Sequence, residues 1–174
     1  MDRTGDSHHS ALRERIVEHL FIGDALQRLW QRRVFDVEVL RAEFDNHGYD
    51  LVMEHGQVVR HIQFKTGVSK KPGKVSLSVA LADKPSGCVI WIGVDAKLVR
   101  SSFYWFGAEP GQSLPPIAHY PNPRRTTHNK DGVRPPRQNH RVIPGSAFRA
   151  ISDLDELLEL LFGNLPEEKH LAGR

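Results

Sequence analysis

A single cysteine, Cys88, stands in a chain of 174 residues. One thiol cannot close an intrachain disulfide, and a cysteine zinc cluster is excluded with it. This suits a reducing compartment, and the cytoplasm is the expected location. No apolar run approaches the ~20 residues needed to cross a bilayer. Residues 1–10 are polar and lack the apolar core of a secretory signal, so a soluble chain with no membrane partner is expected. No glycine-rich phosphate loop leads from a strand into a helix, and no Gly-x-Ser-x-Gly elbow is present. Kinase, P-loop NTPase and serine hydrolase readings are left without support. Histidines are plentiful, but none of His19, His47, His55, His61, His119, His128 and His140 falls at a recognised zinc spacing. The charge excess is small, +3 with a pI near 9.2, and only leans towards a polyanion partner.

What the chain does have is enough for one α/β domain. Residues 1–10 and 167–174 read as tails, with a single domain over 11–166. Its first element is a helix over residues 11–32, on which Leu12, Ile16, Leu20, Leu26 and Trp30 recur at helical spacing. Val17, Phe21, Ile22 and Leu29 widen the apolar surface, so the helix is expected to be sandwiched, with Ser10 as its N-cap. The pattern then turns to period two. Residues 34–40 read as a strand, and residues 49–53 and 58–66 as antiparallel neighbours joined by a tight turn at Gly56. Residues 75–81 suit a strand or a short helix, 88–94 a buried central strand, and 102–106 an aromatic strand. Residues 109–145 are rich in proline and arginine and form either a long functional loop or a mobile segment. A last helix covers 153–162, with Ser152 as its expected cap and Gly163 as its stop. The implied sheet is mixed, of four or five strands, flanked by the two helices.

The chemistry concentrates in Gly48-Tyr49-Asp50-Leu51 and Ile62-Gln63-Phe64-Lys65. Strand side chains alternate between faces, so Ile62 and Phe64 point into the core and Gln63 and Lys65 point together the other way. The hairpin brings Asp50 to the same patch. One carboxylate, one amide oxygen and one ammonium then meet. A hard divalent cation prefers oxygen ligands, here Asp50, the Gln63 side-chain carbonyl and the Phe64 backbone carbonyl. Lys65 can position a water and offset developing negative charge. Glu18, on the first helix, is the candidate fourth contributor, with Glu14 one turn earlier as its competitor. The plainer readings are an exposed edge-strand face for Gln63 and Lys65, and a strand-end role for Asp50. Asp45 sits in an Asp-Asn-His-Gly turn that turn chemistry alone explains; a supporting role at the metal is the alternative.

The order helix with Glu, Asp, short hairpin, then Gln-x-Lys resembles the PD-(D/E)XK nuclease superfamily, over roughly residues 11–94. The Gln variant looks most like small bacterial members such as the Mrr-like restriction enzymes. The resemblance implies a restriction-endonuclease-like core and Mg²⁺- or Mn²⁺-dependent hydrolysis of DNA phosphodiesters. Asp50 and Gln63 would be metal ligands, Lys65 the catalytic lysine and Glu18 the helix acid. Gln63 departs from the family's acid, and the proline that names the motif is missing before Asp50. The alternative is therefore a nuclease-like module that binds nucleic acid or a protein but has lost efficient chemistry.

Two basic stretches are candidates for phosphate contact: Lys70, Lys71 and Lys74 just past the Gln-x-Lys strand, and Arg124, Arg125, Lys130, Arg134 and Arg137 in the proline-rich segment. A solvated loop is the plainer reading of the second. DNA is the expected partner, with RNA, a second copy of the chain and a separate recognition subunit left open.

Overall fold

The computed structural model describes residues 9–41 and 47–167. Asp45 and all but His9, Ser10 and Glu167 of the two expected tails lie outside the described residues. Helix α1 runs Ser10–Gln31, followed by strands β1 (Val37–Arg41), β2 (Leu51–His55) and β3 (Val58–Gly67). Strand β4 (Val75–Ser78) passes into a single 3₁₀ turn at Val79–Leu81, so both readings of that stretch hold in succession. Then come β5 (Gly87–Val94), β6 (Arg100–Gly107), β7 (His140–Ile143), β8 (Arg149–Ile151) and helix α2 (Leu154–Phe162).

The main sheet is mixed and has six strands in the order β1-β2-β3-β5-β6-β8, where four or five were expected. The extra strand, β8, is three residues long and too short to show a period. Only β3 and β5 run parallel, and β2–β3 is the expected hairpin, with Gly56 at φ +58°. Every residue of β5 is buried, as its unbroken apolar run requires. Residues 109–145, read as either a long functional loop or a mobile segment, are mostly irregular and carry one short strand, β7. Strand β7 pairs with β4 in a separate two-stranded sheet, Val75 opposite Ile143.

Both helices lie on one face of the main sheet rather than flanking it. Val17, Phe21, Ala25 and Leu29 of α1 and Leu157, Leu158 and Leu161 of α2 share a core with Ile62, Phe64, Ile90 and Ile92. The small sheet covers the other face, where Val75, Leu77 and Ile143 pack on Val89, Trp91 and Phe106. Of the apolar residues expected on α1, Val17, Phe21 and Leu29 meet the sheet and Ile22 is partly buried. Leu12, Ile16, Leu20, Leu26 and Trp30 are exposed, so among the described residues α1 is covered on one side and is not sandwiched. Apolar residues occur on two opposite sides of the helix, so periodicity alone could not say which side the sheet takes.

The caps also move by one residue. Ser10 is the first helical residue of α1, behind His9, which makes no side-chain cap bond. In α2 the cap is Asp153, whose carboxylate accepts the Glu156 N–H at 2.9 Å. Ser152 instead donates its N–H to the Glu156 carboxylate at 2.7 Å. Gly163, at φ +84°, ends the helix as expected. The last turn of α2 is held by Arg60 of β3, which is wholly buried. Its guanidinium donates to the Leu161 carbonyl at 2.7 Å and to that of Leu160, and it lies over the Trp105 ring.

The two helices are tied by charge. Arg28 makes a two-point contact with Asp155, at 2.8 and 2.9 Å, and the buried Arg32 adds a third bond to the same carboxylate at 3.3 Å. The hydrogen bonds from Arg28 hold the Asp155 carboxyl below its usual 3.8, with partial burial opposing them. Since the folded pKa lies below the unfolded one, the stabilisation is present above 3.8 and fades as pH falls through the folded value. Asp155→Asn should therefore cost about 1 kcal/mol at neutral pH, discounted for the half-exposed carboxylate. Urea titrations should show the gap from wild type closing in acid; a gap independent of pH would refute this account.

Candidate active site

Strand β3 outruns its neighbour. The ladder between β2 and β3 ends at Leu51 opposite Ile62, and β3 continues five residues further, to Gly67. On its other side β3 stays paired with β5 through Gly67. A notch is left where β2 peels away, and Asp50 sits at its corner. The Asp50 N–H closes the last ladder bond on the Ile62 carbonyl at 2.8 Å. Its carboxylate then reaches forward and accepts the Phe64 N–H at 2.6 Å. A strand residue's N–H and C=O leave on the same side, so the Phe64 carbonyl also faces the open edge.

The four residues singled out from the sequence line one cavity of about 270 Å³. Asp50, Gln63, Phe64, Lys65 and Thr66 come from the hairpin, and Ala11, Glu14, Arg15 and Glu18 from the first turns of α1. Ile62 and Phe64 face the helices as expected. Gln63 is 8% exposed, and its side-chain oxygen is buried with no hydrogen-bond partner. The Thr66 hydroxyl is buried and unpartnered in the same way. Lys65 is half-buried.

Glu18 and Glu14 both line the cavity, so the choice between them is not exclusive. Glu18 is buried, and its carboxylate is held by two arginines, Arg15 at 3.1 Å and Arg41 of β1. Neither arginine was singled out from the sequence. Arg15 sits one turn from Glu18, a spacing that signals a pair, whereas Arg41 comes from a strand 23 residues away with no sequence signal. Thr66 follows the Gln-x-Lys motif directly and was passed over because a strand threonine is ordinarily a packing residue.

The donor set fits a hard cation at its core. Asp50 gives a carboxylate, and Gln63 an oxygen that is already desolvated and lacks a partner, a condition that costs about 1–3 kcal/mol unless something occupies it. Among the described residues no cluster of three His, Cys, Asp or Glu side chains has ligand geometry.

The basic candidates lie apart from this cavity. Lys70, Lys71 and Lys74 are exposed on the loop after β3. Arg124, Arg125 and Arg137 line a second, larger cavity of about 530 Å³, together with His140 and Thr126. Lys130 and Arg134 are exposed near the tip of the same segment. The segment is an irregular hairpin, closed by Arg125 N–H on the Pro135 carbonyl, Arg137 N–H on the Pro123 carbonyl, and the Asn122 amide on three main-chain carbonyls. Its arginines are thus presented on an ordered ribbon.

Comparison with protein families, with curated proteins and with solved structures finds no match to this chain.

The unpartnered oxygen gives the site a signature in stability alone. Gln63→Met keeps the side chain's length and removes the orphaned acceptor, so the metal-free protein should become more stable by about 1 kcal/mol. A higher midpoint in urea, measured with chelator present, is the expected result. A loss of stability would mean that the Gln63 oxygen is satisfied in solution.

Proposed function

We propose that the cavity at the β2–β3 fork is a PD-(D/E)XK-type active site that hydrolyses DNA phosphodiester bonds with Mg²⁺ or Mn²⁺. The observation that carries this reading is that Gln63, whose side-chain oxygen is buried and unpartnered, lines the same cavity as Asp50 and Lys65. Asp50, Gln63 and the Phe64 carbonyl would hold the cation. Its contribution when bound is to polarise the phosphoryl oxygen and to acidify a water.

The chain's own residues do the rest. Phe64 N–H fixes the Asp50 carboxylate at 2.6 Å, so the ligand is oriented before anything binds. Lys65 lines the same pocket as Asp50, Glu14 and Glu18 and offsets negative charge on the phosphate as it builds. Arg15 and Arg41 hold Glu18 at the wall, where it can accept a hydrogen bond from a water. The lysines at 70, 71 and 74 and the arginines of the hairpin supply the sequence-independent attraction to a phosphate backbone.

A second reading rests on Glu18. A carboxylate already neutralised by two arginines adds little to a metal site, and the amide at position 63 adds no charge. These features favour a module on the same fold that binds nucleic acid without cutting it efficiently.

The two readings separate in a cleavage assay on plasmid and single-stranded DNA with Mg²⁺ or Mn²⁺. A nuclease loses about 10²–10³-fold in rate on Lys65→Ala and on Asp50→Ala, and Asp50→Ala also loses Mn²⁺ binding in calorimetry. Gln63→Glu should tighten the metal. Wild-type protein as inert as both variants, with salt-sensitive DNA binding intact, would retire the nuclease reading in favour of the binding module.

A further inference from the structure

The outer face of α1 is unexplained by the cavity chemistry. Trp30, Leu12 and Phe35 are each more than half exposed, and Leu20, Leu26 and Ile16 are between 36% and 44% exposed. On a helical wheel the five α1 residues fall within one stripe, opposite the buried Val17, Phe21, Ala25 and Leu29. Trp30 and Phe35 are packed edge to face at 4.8 Å, which extends the stripe beyond the helix end. Gly23 lies in the middle of the stripe, and a Cβ there would meet nothing within 4 Å.

We infer that this stripe is a homodimer interface, on which the α1 helices of two copies of the chain pack antiparallel about a two-fold axis. Three observations point to a second copy rather than to another protein. Four residues of the stripe are spaced symmetrically about position 21: Leu12 and Trp30 lie nine residues to either side, and Ile16 and Leu26 five. An antiparallel copy therefore sets Leu12 against Trp30 and Ile16 against Leu26, and the same two contacts recur across the axis, as an isologous interface demands. Gly23 falls opposite His19 in this register, and its missing side chain lets the two helices approach at mid-length. The area is also sufficient. At ~150–250 Å² for each large side chain, the exposed fractions present roughly 600 Å² of apolar surface per chain, so two copies bury on the order of 1,200 Å², the lower bound of a specific interface.

This inference does not rest on the nuclease reading, since it uses none of the cavity's residues. It has a consequence for the cavity all the same. The first turns of α1 supply Glu14, Arg15 and Glu18 to the cavity wall, so a partner helix along α1 would steady that wall and set two cavities at opposite ends of one helix pair.

Sedimentation equilibrium on the full chain tests the association. A mass twice the 19.7 kDa of the chain is expected, falling to the single-chain mass in the variant Leu20→Glu with Trp30→Glu. Both positions are exposed, and far-UV circular dichroism checks that the fold is kept. Disulfide cross-linking tests the register without disrupting it. Position 12 is about 27 Å along the helix from position 30, beyond the reach of a disulfide within one chain. A mixture of Leu12→Cys and Trp30→Cys chains should cross-link across the interface, and either variant alone should not. The buried Cys88, whose thiol burial pushes up to about 12, stays out of the reaction. A single-chain mass for wild type at high micromolar concentration overturns the inference. A dimer that survives both glutamates, or Leu12→Cys chains that cross-link with themselves, overturns it equally.

Discussion

Where β2 leaves β3, the next amide of β3 on that side has no strand partner, and the Asp50 carboxylate takes it. Much of the candidate site depends on that bond. A buried N–H must find an acceptor, and a side chain can supply one only from the residue at the fork. The same bond orients the carboxylate, leaves the Phe64 carbonyl facing the notch, and stops β2 from continuing. The pairing that ends the hairpin is therefore also what opens the cavity. Beyond the fork, β3 stays paired with its parallel partner β5, which is buried from end to end, so this stretch is held on one side although its other edge is bare.

How much of this was legible follows from the distance, along the chain, between the residues that meet. The β2–β3 hairpin closes over a single tight turn at Gly56, and the patch of Asp50, Gln63 and Lys65 spans only 15 residues. Period two and one turn signal suffice to assemble it. Strand β5 and the stop at Gly163 are equally local. The small sheet was not legible, because β4 and β7 are brought together from positions 75 and 143 and β7 is too short to announce a strand. The arginine hairpin carries no alternating aliphatic pattern at all. It is held by proline carbonyls and by one asparagine amide, and composition reads such a segment as loop. Arg41 on Glu18 belongs to the same class, a charge pair formed only when α1 and β1 are placed by the core.

Helix α1 shows the other limit. Its buried and exposed faces are both apolar, and hydrophobic periodicity assigns a face only when the opposite one is polar. The expectation of a sandwiched helix nevertheless had physical content. A helix apolar on two sides is out of place in water as a surface helix, and the sheet of this chain satisfies only one of the two. Among the described residues the second face is left uncovered, and that face is what points to a second chain.

Two polar side chains three residues apart on β3 separate stability from function. Arg60 is wholly buried, and its guanidinium donates to two carbonyls of α2 and lies over Trp105, so the fold itself meets most of its polar demand, although Nη1 has no partner. Gln63 is buried nearly as deeply, and its oxygen has nothing to accept from. A folding requirement explains the first and not the second. An unmet acceptor destabilises the chain that carries it, and a methionine of the same length would remove the penalty. An amide oxygen left bare beside a fixed carboxylate and a lysine is best explained by what enters the cavity, which is why the functional reading is anchored at position 63 rather than on the more numerous basic residues at the surface.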